Sequence, residues 1–98
     1  MEQKVDSLYT EIMKVYPQAT EGKRGAFIQW FVRNDMQFFI RTFLERNLSV
    51  SATARTLFLG ESTVIFRIKR IKEFTGLNIR QFRGALRILT LLTKCELF

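Results

Sequence analysis

The side chains of this 98-residue chain best equipped for chemistry are cations, and they are crowded together. Between Ser51 and Arg87 stand eight basic residues (Arg55, Arg67, Lys69, Arg70, Lys72, Arg80, Arg83 and Arg87) against two acidic ones, Glu61 and Glu73, a local balance of +6. The whole chain carries +7 with a pI near 10.2. Nearly all of the excess charge therefore sits in one segment, the footprint expected of a protein that neutralises a polyanion and releases its counterions.

Other chemistries are poorly supplied. There is no histidine and Cys95 is the single cysteine, so clustered zinc ligands, a disulfide and a Cys–His nucleophile pair are all absent. No carboxylate pair, Gly-rich phosphate loop or nucleophile–base set stands at a recognisable spacing, and the commonest general base is missing. The chain is expected to be no enzyme, with no catalytic residues, no metal and no cofactor. Charged residues punctuate the first twenty positions and no apolar run approaches membrane-spanning length, which implies neither a signal peptide nor a membrane partner. A cytoplasmic, nucleoid-associated location follows as the expectation.

The elements that position the cations are helices. At 47% hydrophobic and 26% charged, with one proline and five glycines, the chain has the balance of a folded domain. Asp6 or Ser7 caps a first helix carrying Val5, Leu8, Ile12, Val15 and Tyr16 at spacings of three or four, and Pro17 closes it. A polar loop over 18–25 leads to a second stripe, Phe27, Ile28, Phe31 and Val32. Asn34 and Asp35 interrupt it before Phe39, Ile40, Phe43 and Leu44, which belong either to a third helix or to a long second one. Ser51 caps a short helix from Ala52 to Leu57, and Phe58-Leu59-Gly60 makes a turn. A helix then starts at Glu61 or Ser62 with Val64, Ile68 and Ile71 on its buried stripe, and Gly76 ends it. Asn78 caps the last helix, where Ile79, Phe82, Leu86 and Leu89 form one stripe. Ala85, Ile88, Leu91 and Leu92 widen that stripe until the helix needs burial on more than one side. The fold class is all-α: a small bundle of five or so helices containing a helix-turn-helix. Residues 1–98 form one domain, with N-terminal helices over 1–47, the helix-turn-helix over 48–76 and a C-terminal helix over 77–98.

Two short helices joined by three or four residues have helix-turn-helix proportions, and Ala54 is the small residue that lets them approach closely. Advancing about 100° per residue from Val64 puts Ser62, Phe66, Lys69, Arg70 and Glu73 between about 140° and 240°, away from the core. That outer face suits a major groove, with Ser62 and Thr63 at its amino end.

The run from Asn47 to Leu59, then Ser62-Thr63-Val64-Ile65-Phe66-Arg67-Ile68, Ile71 and Phe74-Thr75-Gly76-Leu77, resembles the C-terminal helix-turn-helix of the PucR/CdaR family of bacterial transcription regulators. The resemblance spans about residues 38 to 92. Its most specific parts are Ala-x-x-Leu-x-Leu at 54–59, Thr-Val-x-Phe-Arg-Ile at 63–68, and Thr-Gly-Leu at 75–77. In outline the motif is also similar to the Fis-type helix-turn-helix. The resemblance implies DNA binding in transcription control, with Thr63 and Arg67 as phosphate-contacting or helix-positioning residues. Where the family has His-Arg-Asn before the threonine, this chain has Gly60-Glu61-Ser62. An anion replaces a cation at the DNA-facing end, which implies an altered operator preference or reduced affinity. Family members carry this domain at the end of longer chains, so the chain is read as a free-standing regulator or an excised domain whose first helices are remnants.

The candidate DNA-binding residues are Arg55, Ser62, Thr63, Phe66, Arg67, Lys69, Arg70 and Lys72, and the expected partner is double-stranded DNA. Arg67 borders the core, where pairing with a carboxylate competes with phosphate contact. Phe66 either meets a thymine methyl or packs under the last helix or against a second subunit, with packing favoured. Arg80, Arg83 and Arg87 share one face, either a second phosphate clamp or a solvated surface, with the latter favoured. Phe27, Trp30, Phe31 and Phe38 are first of all core candidates. Yet the aromatics exceed what one small core needs, so the same four are assigned to a homodimer interface that spaces two reading helices about 34 Å apart. The competing reading is a protein-interaction module that binds another regulator through its aromatic surface or Glu61.

Overall fold

In the computed structural model, which describes residues 1–98, the chain forms six α-helices and no strand. They are α1 (Glu2–Met13), α2 (Arg24–Arg33), α3 (Met36–Glu45), α4 (Val50–Leu57), α5 (Glu61–Thr75) and α6 (Phe82–Lys94), with a single 3-10 turn at Glu21–Lys23.

One hydrophobic cluster runs from Val5 to Leu97 and draws on every helix. Val5, Leu8, Tyr9 and Ile12 place one face of α1 wholly inside it. Helix α1 begins four residues before Asp6, because burying Val5 requires an earlier turn; the Met1 carbonyl accepts the Lys4 and Val5 amides at 3.1 Å. Asp6 works from within the helix instead. Its carboxylate accepts from Arg24 at 2.7 Å, and Arg24 also grips Glu21 and the Thr10 hydroxyl, joining α1 to α2. The helix ends at Met13, ahead of Pro17.

The α2–α3 break falls at Asn34–Asp35, where Asp35 takes a left-handed conformation (φ 49°). Phe27 and Phe31 point inward and are 2% exposed. The Phe27 ring packs 4.9 Å from Tyr9 and 5.6 Å, edge-on, from Phe74, and Trp30 lies 5.4 Å from Phe74. The aromatics of α2 thus brace the carboxyl end of α5. This overturns the assignment of Phe27 and Phe31 to a dimer surface: both rings are taken up in the core of one subunit. Trp30 is half-buried on the same cluster, and Phe38 alone of the four is largely exposed, at 52%.

Two further caps differ from expectation. Ser49, not Ser51, caps α4: its Oγ accepts the Ala52 amide at 3.1 Å, so the helix starts at Val50. Asn78 caps no helix; its Oδ1 accepts the Arg80 amide and its carbonyl accepts that of Gln81, closing a turn that delays α6 until Phe82. Gly84 makes that turn possible, because a Cβ there would overlap the Asn78 carbonyl. The burial of α6 is also redistributed. Ala85, Ile88, Leu91 and Leu92 form its inner stripe, while Phe82 and Leu86 are 74% and 51% exposed.

Candidate nucleic-acid interface

Helices α4 and α5 pack together across a sharp turn, with Ala54 buried in α4 and Val64, Ile68 and Ile71 buried in α5. The turn depends on Phe58, which adopts the left-handed conformation (φ 56°) and lets the Leu59 amide reach back to the Ala54 carbonyl at 2.9 Å. Its ring is 93% exposed, so this residue bends the chain while its side chain packs on nothing. Gly76 closes α5 in the same conformation (φ 85°).

With its back buried, α5 turns Ser62, Thr63, Phe66 and Lys69 to solvent. Gly60 occupies the N-cap and offers no side chain; its carbonyl accepts the Thr63 and Val64 amides, and the Glu61 and Ser62 amides have no side-chain acceptor. Glu61 is exposed beside them and forms no ion pair. The placement favours the helix dipole but presents negative charge where an incoming phosphate would arrive. Phe66 is 58% exposed and does not pack beneath α6.

The cations fall into two groups. Lys69 and Lys72 on α5 and Arg55 on α4 are exposed and carry no carboxylate partner. Arg67 and Arg70 are engaged inside the subunit. Arg67 donates from Nη1 to the Asn34 carbonyl at 3.3 Å and lies 5.5 Å over the Phe39 ring, so its partner is a backbone oxygen rather than a carboxylate. It braces α5 against the α2–α3 junction. Arg70 pairs with Glu73 at 3.1 Å and covers Phe74 at 4.6 Å.

Two further cations escaped the sequence reading. Arg46, at the end of α3, donates to the Thr56 hydroxyl at 3.0 Å and so stands beside α4. Lys23 donates to the carbonyls of Gln18 and Glu73, each at 3.0 Å, holding the polar loop to the end of α5. Neither had a local signal, since each acquires its neighbours only through tertiary packing. Helices α4 and α5 thus expose free ammonium and guanidinium groups and hydroxyls, donors of the kind that meet phosphate and base edges. No group of acidic or sulfur side chains is arranged to hold a metal, and no helix is long and apolar enough to cross a membrane.

Comparison with known proteins agrees with this geometry. An uncharacterized protein of Bacillus subtilis (strain 168), YxkF, is 32% identical over 53 residues, which is 54% of this chain and 18% of that protein. The chain therefore spans about a fifth of the length of that relative. No solved structure matches it significantly. The model of the PucR C-terminal helix-turn-helix domain matches residues 39–93, from α3 to the last turn of α6. The chain belongs to the PucR C-terminal helix-turn-helix family, a family of DNA-binding domains of transcription regulators.

Proposed function

We propose that the protein is a sequence-specific transcriptional regulator that inserts α5 into the major groove of duplex DNA and carries no enzymatic activity. The observation that carries this reading is the division of α5 into a wholly buried stripe and an open face bearing Ser62, Thr63, Phe66 and Lys69, flanked by Lys72 and Arg55. Base edges are read by the amino-terminal hydroxyls and Phe66, and phosphates by the unpaired cations. Arg67 acts as a positioning residue. It acts on the bacterial nucleoid in the cytoplasm as a homodimer, with two copies of α5 on half-sites one DNA turn apart. Phe38 is the exposed aromatic through which that pairing runs.

The test is a mobility-shift titration across salt concentrations with the Lys69→Ala, Lys72→Ala double variant. Losing two phosphate contacts should lower duplex affinity about tenfold or more at moderate salt and reduce the salt slope by about two. A folded double variant with wild-type affinity and slope would exclude this docking.

A further inference from the structure

Helix α6 carries a second apolar stripe that the fold leaves without a partner. Measured from Ile88 at about 100° per residue, the buried positions cluster around 0°, whereas Phe82, Leu89, Thr93 and Leu86 fall between about 100° and 160°. Their spacings of four, three and four are those with which one helix receives another. Phe82, Leu86 and Leu89 of this stripe form a hollow of about 350 Å³ together with Ala85 and, from the end of α3 and the link after it, Leu44, Asn47 and Leu48. No acidic side chain lines this hollow. One edge of it, at Leu86, is shared with a polar depression containing Arg83 and Arg87. Both arginines are exposed and neither joins any ion pair within the chain.

We infer that this face of α6 docks an amphipathic helix from a protein partner, one whose apolar residues at i, i+3, i+4 and i+7 enter the hollow while its flanking carboxylates meet Arg83 and Arg87. The charge on the rim selects this occupant. A second copy of the chain would bring its own Arg83 and Arg87 to the same seam, and like charges so placed oppose association. A phosphate backbone would satisfy the arginines but would leave Phe82, Leu86 and Leu89 in water. The acidic helix satisfies both parts at once, an anchoring mode in which apolar knobs supply affinity and charged flanks supply specificity. The stripe covers about three helical turns. It lies on α6 and not on the α4–α5 ridge, so the inference stands apart from the duplex reading.

The experiment uses the intact protein and two fluorescent helical peptides of about four turns that share one leucine stripe, one flanked by glutamates and the other by lysines. Fluorescence anisotropy should show saturable binding of the acidic peptide, at least about tenfold tighter than the basic one. Arg83→Glu with Arg87→Glu should erase or invert that preference. Leu86→Ala should weaken the acidic peptide about tenfold; it truncates a half-exposed side chain, and circular dichroism confirms that the variant is folded. Absence of saturable binding to the folded protein, equal affinity for the two peptides, or a wild-type dimer in sedimentation that Leu86→Ala dissociates would each overturn the inference.

Discussion

At the residue scale, the chain separates cations engaged within the subunit from cations left free on α4 and α5. Arg67 and Arg70 are spent on a backbone carbonyl, a carboxylate and two aromatic faces, while Lys69, Lys72 and Arg55 keep their charge for solvent. Sequence periodicity puts Arg67 at the core border, and it is half-buried there. Periodicity could not reveal that the partner would be Asn34, because that contact joins helices 33 positions apart. Glu61 is exposed at the first position of α5 and joins no ion pair. Replacing it by glutamine removes an unpaired anion from the amino end of α5. Duplex affinity is expected to rise several-fold, with a loss of no more than about 0.5–1 kcal/mol from the weakened helix-dipole interaction. Parallel mobility shifts and thermal melts check the two effects; an unchanged or lower duplex affinity would show that Glu61 does not repel DNA.

At the element scale, the α4–α5 contact depends on a residue no larger than alanine at position 54. Ala54 is 5% exposed, so Ala54→Leu must push the two helices apart or force strained rotamers, at a cost of about 1–3 kcal/mol. For a domain of this size that corresponds to a fall in Tm of about 4–8 °C for each kcal/mol. A melt indistinguishable from wild type would mean that the methyl does not set the helix spacing. This part of the molecule was largely legible in the sequence: the Val64, Ile68 and Ile71 stripe, the turn and the Gly76 stop all follow from local rules. The end helices were less so. Ser51 lies inside α4 because the Ser49 hydroxyl takes the Ala52 amide, and Asn78 closes a turn instead of starting α6 because Gly84 lies against its carbonyl, neither of which local pattern shows. Helix α6 has two apolar stripes, and pattern alone cannot say which of them a single subunit covers.

At the scale of the whole molecule, α1 and α2 share the core of the family domain and pack behind α5. The Tyr9–Phe27–Phe74 contacts run from α1 through α2 to α5, which is why Phe27 and Phe31, assigned to an interface, are interior, whereas Phe38 is not. Charged links tie the same helices at the surface. Glu11, hydrogen-bonded first by Lys94 and then by Lys14, and Glu21, hydrogen-bonded by Arg24, are both held below the ordinary carboxylate value of 4.5. Their contribution is complete above about pH 4.5 and is lost as pH falls through their lowered values. The Tyr9 phenol is shifted the other way, raised above its ordinary 10.0 chiefly by burial, so stability should also fall as pH rises past that value. Thermal melts across pH should therefore give a plateau with a decline at each end, and an unchanged Tm well below pH 4 would contradict the role given to the two glutamates. The central claim, that duplex DNA meets the outer face of α5, is tested most directly by titrating isotopically labelled protein with duplex and following its backbone amides by NMR. The largest saturable shifts are expected at Ser62, Thr63, Phe66 and Lys69; shifts confined to other helices, with these four unmoved, would contradict it.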